Sequence, residues 1–280
     1  MAPSSSTPES GARQFHLIIA YNGTAYSGWQ HCAGQSTVQG TLTNAIRELY
    51  QIEEPVLYAS SRTDTGVHAL GQSVSFFPPD TPDISIANVK KAISSFLPLD
   101  IRIVSVTEAP VDFHARHNAL GKIYSFTILR NLDSSPFSSS LAVQEYHELN
   151  IPAMEEAAAH LCGMHNFITF SAKAKDKDDS DANTIKRLDR FYFREYGSYL
   201  VISVKGNSFM YRMVRRLAGF LIEVGKGRIK PGESVAILNA HERNGPFKTA
   251  PPQGLYLERV FYDSDEMNAY EPSQLPFLML

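Results

Sequence analysis

Short β-type runs and helical periodicities follow one another as strand-helix-strand-strand-helix-strand, and then in the same order again. This predicts an α+β protein of two ferredoxin-like (βαββαβ) halves whose antiparallel sheets join around a central cleft. Two observations support the repeat. Runs rich in β-branched and aromatic residues alternate with stretches in which apolar residues recur every three or four positions. Pro, Gly and Asn stand where these elements must end, and the second round reproduces the first with longer inserts. The expected organisation is a disordered tail over 1–14, an N-terminal half over 15–112, a C-terminal half over 113–264 and a second tail over 265–280.

In the first half, residues 15–21 form a strand that Asn22-Gly23-Thr24 turns. Val38, Leu42, Ala45, Ile46, Leu49 and Tyr50 then recur at helical spacing, with Ser36 placed to cap the helix. Strands over 55–61 and 71–77 flank a turn. A helix over 85–97 carries Val89, Ile93, Phe96 and Leu97 inward and stops at Pro98, and 101–107 forms the next strand. In the second half, a strand over 119–130 contains Tyr124, and a helix over 152–162 has Pro152 at its start and Gly163 at its end. Residues 173–183, dense in Lys and Asp, are expected to be a mobile surface loop. A hairpin follows over 186–196 and 199–205 through Gly197-Ser198. Met210, Met213, Leu217, Phe220, Leu221 and Val224 mark a helix over 209–224 that Gly225 ends. A short helix over 234–241 and a closing strand over 255–262 complete the plan.

With 43% hydrophobic residues in 280, the chain can bury a large core. Cys32 and Cys162, far apart in sequence, offer no disulfide framework and suit a reducing compartment. The Ser/Pro-rich start has neither the apolar core nor the basic pattern of a targeting signal, and no apolar run nears the ~20 residues of a spanning helix, so a cytoplasmic protein with no membrane association is expected. The net charge of -3 argues against a surface coated in positive charge. Its distribution is uneven: Lys205, Arg212, Arg215, Arg216, Lys226, Arg228 and Lys230 face only Glu223 over 205–230, a stretch that a polyanion can bind.

Residues that can do chemistry converge on the turn between the two middle strands of the first half. Ser61-Arg62-Thr63-Asp64-Thr65-Gly66-Val67-His68-Ala69 places a carboxylate two residues after a guanidinium, where both can face a substrate. A cation beside a carboxylate favours its charged form, and an ionised, partly desolvated Asp is a competent nucleophile. The plain alternative is a surface ion pair that caps a turn. Arg215 lies at the edge of the apolar stripe of its helix and can reach into a neighbouring cleft, whereas Arg212 and Arg216 share a face opposite the stripe and are expected to be wet. Tyr26 and Trp29, around Gly28 and next to Gln30, can stack on a base or anchor their own loop. His114 and His117 have the donors for a metal, but a strand would send them to opposite faces, so no metal is expected.

The Arg-Thr-Asp stretch, with Gly71-Gln72 behind it, resembles the signature loop of the tRNA pseudouridine synthase A (TruA) family. The likeness continues through Tyr21-Asn22-Gly23-Thr24 with Tyr26, Gly28-Trp29-Gln30, 35–40, Phe113-His114-Ala115-Arg116 and Lys122-Ile123-Tyr124. It runs on through Gly163-Met164-His165-Asn166-Phe167, 207–215 and 250–257, so about residues 15–260 take part. The resemblance implies a homodimeric isomerase that converts uridine to pseudouridine at positions 38–40 of the tRNA anticodon stem-loop, without cofactor or metal. By position it implies Asp64 as catalytic nucleophile, Arg62 as the residue that helps the base leave the stack, Tyr124 against that base, Arg215 paired with the aspartate and Leu255 packed under the uracil. Arg116, Tyr26, Trp29, Gln30, Asn207, Phe209 and Arg212 are the further substrate-binding candidates. Ser61 stands where the family usually has Gly, and Thr65 where it usually has a smaller residue. Two other readings stay open: an RNA-binding protein that kept the fold and lost the chemistry, and a dimeric aspartic protease acting through Asp64-Thr65-Gly66.

Overall fold

The computed structural model describes residues 13–130, 136–173, 183–243 and 245–279. The expected N-terminal tail, apart from its last two residues, and the interior of the expected 173–183 loop lie outside the described residues.

One ten-stranded, mostly antiparallel sheet organises the chain. The first half supplies β1 (Gln14–Tyr21), α1 (Val38–Tyr50), β2 (Tyr58–Ala59), β3 (His68–Phe76), α2 (Ile86–Ser94) and β4 (Ile101–Ala109). The second supplies β5 (Gly121–Leu129), β6 (Val143–Gln144), α3 (Ile151–Ala159), β7 (Gly163–Asn166), β8 (Ile185–Tyr196), β9 (Tyr199–Gly206), α4 (Met213–Gly225), α5 (Ser234–Asn239) and β10 (Leu255–Phe261), followed by α6 (Ser264–Ala269). The sheet runs β4-β1-β3-β10-β5-β9-β8-β7, with β2 on β3 and β6 on β5.

The seam is the parallel pair β3–β10, where His68 lies opposite Tyr256 and Ala69 opposite Leu257. It exists because β2 shrinks to two residues. Tyr58 and Ala59 pair with Ser75 and Val74 at the far end of β3, leaving its first residues free to take β10. The strand expected over 55–61 is therefore mostly extended coil, and β3 starts at His68 rather than Gly71.

Side chains of α1 to α4 and of the strands form one continuous core that crosses the seam, from Leu17, Leu42 and Phe76 to Leu217, Phe220 and Leu257. Each fully buried aliphatic or aromatic side chain contributes about 1.5–3 kcal/mol, so separating the halves would expose a large apolar surface. On the opposite face, Ile123, Tyr192, Phe261 and Met267 form a small cluster with Tyr270 packed against it, which docks α6.

Two helices end earlier than expected: α2 stops at Ser94, which leaves Phe96 exposed instead of inward, and α3 stops at Ala159. Three further boundaries differ for local reasons. Thr37, not Ser36, caps α1, its side chain accepting from the Gly40 amide. The helix expected over 209–224 starts only at Met213, because Arg212 takes a left-handed backbone with φ 58°. Gly163, with φ 107°, opens β7, a strand with no clear pattern in the sequence.

Candidate active site

The segment between β2 and β3 is held along its length. Lys122 Nζ donates to the Ser60 carbonyl at 2.6 Å. The Gln72 side chain grips the next residue through both of its backbone groups, accepting from Ser61 N at 3.2 Å and donating to Ser61 O at 2.7 Å. Thr63 O accepts from Trp29 N at 3.0 Å, and its hydroxyl meets Tyr21 Oη at 2.8 Å. Val67 N closes the turn on Asp64 O at 3.1 Å. The residue beside Trp29 must be glycine: Gly28 has φ 98°, and a Cβ there would sit 2.6 Å from Thr63 O.

This scaffold delivers Asp64 to the start of α4. Arg215 Nη1 donates to Asp64 Oδ2 at 2.7 Å, and both side chains are largely buried, 12% and 17% exposed. Arg212 Nε lies 3.9 Å from the same oxygen and is more open. Arg215 is itself aimed from behind, its Nε donating to Ala250 O at 2.8 Å while Ala250 N donates to Arg215 O at 3.0 Å. That strap lies flat on the helix because Gly219 has no Cβ, which would meet Lys248 O at 1.9 Å. A short-range charge pair of this kind, with the guanidinium fixed by a second acceptor, orients a carboxylate as well as balancing its charge.

Tyr124 rises from β5 beside this pair. Its ring meets Phe209 edge to face, with centroids 5.1 Å apart. Burial above all pushes the phenol up to about 12; the nearby Asp64 charge acts in the same sense and a hydrogen bond from Ser61 against it. The side chain thus keeps its proton across the physiological range. Leu255 is buried on β10, opposite Phe126, with Leu257 opposite Tyr124. Across the seam, His68 stacks on Tyr256 at 4.7 Å; its Nδ1 accepts from Gly23 N and its Nε2–H donates to Gln253 O, while burial lowers its basicity.

The geometry brings Asp64, Arg215, Tyr124, Phe209 and Arg212 together. The exposed Arg62 has no ion-pair or hydrogen-bond partner among the described residues, so its guanidinium is available to a ligand. Arg116 is exposed, on a turn. Gln30 is exposed and donates to Gln39 Oε1 at 2.9 Å, and Asn207 caps the β8–β9 ladder by pairing with the Arg187 backbone.

Other expectations need correction. Trp29 and Tyr26 are buried, 2% and 5% exposed, and Tyr26 Oη donates to Asp100 Oδ1, so both anchor their loop and present no stacking face. Arg216 is not on a wet face. It is 8% exposed, donates to Thr169 O and Arg243 O and lies over Phe247, because the left-handed turn at Arg212 breaks the helical register assumed between the two. The cations of 205–230 do not form one basic surface: Lys205 is buried on the carbonyls of Met267 and Tyr270, and Lys226 pairs with Glu145. His114 and His117 belong to a turn rather than a strand, so their rings touch at 4.2 Å instead of pointing apart. Among the described residues no three His, Cys, Asp or Glu side chains gather as a metal site. Lys122, Gln72 and His68 lie within the motifs that carry the family resemblance, but the sequence assigns them no role of their own. Their roles are bonds to distant backbone, which no local pattern announces.

A family model described as tRNA pseudouridine synthase matches residues 17–118 and 157–263, most of both halves. The chain belongs to the tRNA pseudouridine synthase family. Relatives agree over nearly the whole length. The tRNA pseudouridine synthase A of Listeria innocua is 39% identical over 251 residues, covering 89% of this chain and 99% of its own. That of Bacillus pumilus is 37% identical over 248 residues, covering 88% and 98%, and that of Chlamydia pneumoniae 37% over 253 residues, covering 90% and 93%. Within the pseudouridine synthase family the resemblance is to the A group, whose enzymes are isomerases. In this synthase the partner of Asp64 inside the chain is an arginine, not the second carboxylate that an aspartic protease requires.

Proposed function

We propose that this protein isomerises uridine to pseudouridine at positions 38–40 of the tRNA anticodon stem-loop, with Asp64 as the nucleophile. The observation that carries the reading is the Arg215–Asp64 pair at 2.7 Å beside Tyr124, in a chain that shares the family's motifs over most of its length. Pseudouridine formation breaks the bond from uracil N1 to ribose C1′ and makes one from C5 to C1′, and the C5 hydrogen leaves as a proton while N1 gains one. Atoms and electrons balance without an outside reagent, so the reaction calls for no cofactor.

A base inside a stem must leave the stack to be reached. Exposed Arg62, two residues before the nucleophile, is placed to take the vacated position or hold the strand open. The extruded uracil then meets the Tyr124 ring on one side and Leu255 on the other. Asp64 can attack C1′, attack C6 or remove the C2′ proton; each route needs a charged, oriented carboxylate, which Arg215 supplies. Tyr124, protonated at neutral pH, is suited to donate or relay a proton as the base turns.

We read the fold as two ferredoxin-like halves, 15–112 and 113–264, flanked by 1–14 and 265–280. The orders β4-β1-β3-β2 and β10-β5-β9-β8 support this, since they are the same arrangement twice. A homodimer acting in the cytoplasm on tRNA, with no membrane partner and no metal, completes the proposal. The test is to treat unmodified tRNA with purified protein and map pseudouridine by position. Modification at 38–40 is expected, and no pseudouridine anywhere would refute the reading.

A further inference from the structure

We propose that Lys122 is a positioning residue, clamping the loop that carries Arg62 and Asp64 to the strand that carries Tyr124. The proposal rests on the functional reading above for what the loop does, but the clamp itself stands on geometry. Lys122 and Tyr124 are two residues apart on β5 and project from the same face, whereas Ile123 between them packs into the cluster on the other face. From that face Lys122 Nζ reaches across the halves to the Ser60 carbonyl at 2.6 Å. Ser60 N is already tied to Ser73 O at 2.9 Å, and the next residue is held by Gln72. Residues 60 and 61 are thus fixed from both halves, and the nucleophile follows three residues later. Among the described residues this is the one hydrogen bond between that loop and the Tyr124 strand made by a charged group.

The lysine is unusual in its surroundings. No carboxylate lies within salt-bridge distance of it among the described residues; the charged side chain that acts on it is Arg116, which repels, and the neighbouring titratable group on its own strand face is Tyr124. Burial, more than Arg116, pulls the ammonium down to about 8. An amine kept in such a place at a cost to itself, with its head on a backbone oxygen at the root of the nucleophile loop, fits a role in alignment better than one in holding the fold.

The test uses the full chain with Lys122→Met, and Lys122→Gln as a second variant that keeps a donor. Misplacing a reacting group by about 1 Å can cost about a hundredfold in rate, so single-turnover pseudouridine formation is expected to fall about 10- to 100-fold in Lys122→Met and less in Lys122→Gln. Affinity for tRNA is expected to change by less than about threefold. Without RNA, amide exchange of the 60–66 peptides is expected to rise in Lys122→Met while the core strands stay protected. An unchanged rate, a loss of rate matched by an equal loss of affinity, or unchanged exchange at 60–66 overturns the proposal. If wild-type protein forms no pseudouridine, the functional reading fails instead, and the exchange measurement still decides the clamp.

Discussion

Arg215→Ala is the perturbation whose size the structure allows to be worked out. It removes the 2.7 Å partner of Asp64 and the donor to Ala250 O. Breaking a fully buried ion pair by deleting one partner costs about 3–5 kcal/mol. Here Asp64 keeps 17% exposure and a second arginine, Arg212, at 3.9 Å, so water and that cation recover part of the loss. A cost of about 2–3 kcal/mol remains, and because orientation of the carboxylate matters most in the transition state, it falls on the rate: about 30- to 150-fold. Arg215→Lys keeps a charge but cannot fork between Asp64 and Ala250, and is expected between the two. The assay follows release of tritium from C5-labelled uridine in tRNA under single-turnover conditions, since C5 loses its hydrogen when it joins C1′. A rate for Arg215→Ala within twofold of wild type would refute the role given to the pair.

Gly28→Ala forces a Cβ to within 2.6 Å of Thr63 O at φ 98°, so it is expected to lower stability by about 2 kcal/mol or more and slow turnover; an unchanged melting temperature would show that the brace on the loop is not needed. Glu258, buried among Ser125, Tyr270 and β10, is pushed up by burial, so it favours the fold while protonated and loses that contribution as pH rises from the ordinary carboxylate range through its raised value. The melting temperature of Glu258→Gln minus that of wild type should therefore increase with pH over that window, and a constant difference would contradict the sign. The affinity for tRNA should fall linearly with salt on a log-log scale, with Arg116→Gln lowering the slope by about one; a flat dependence would contradict electrostatic capture of RNA.

Much of the frame could be read from the chain because periodicity reports which face is buried. The strands over 15–21 and 199–205 and the α1 stripe of Val38, Leu42 and Ile46 lie where alternation and helical spacing put them. The Asp64–Arg215 contact was anticipated too, from a stripe edge and from the family's pattern. What local pattern could not supply was backbone geometry that depends on partners far along the chain. The left-handed Arg212 delays α4 and turns Arg216 inward, β2 gives way so that β10 can join β3, and Trp29 is spent on anchoring the Gly28 turn. Lys122 and Gln72 act on carbonyls and amides 62 and 11 residues away, a role set by packing and not by sequence neighbourhood.

The claim at the centre is that one carboxylate, held by Arg215, carries out the chemistry on uridine. Asp64→Asn changes a single oxygen for nitrogen and leaves room for the Arg215 guanidinium, so it separates chemistry from binding. Measured side by side with wild type on unmodified tRNA, the variant should bind with nearly unchanged affinity and form no pseudouridine in single turnover. Pseudouridine from Asp64→Asn at a rate near that of wild type would contradict the account.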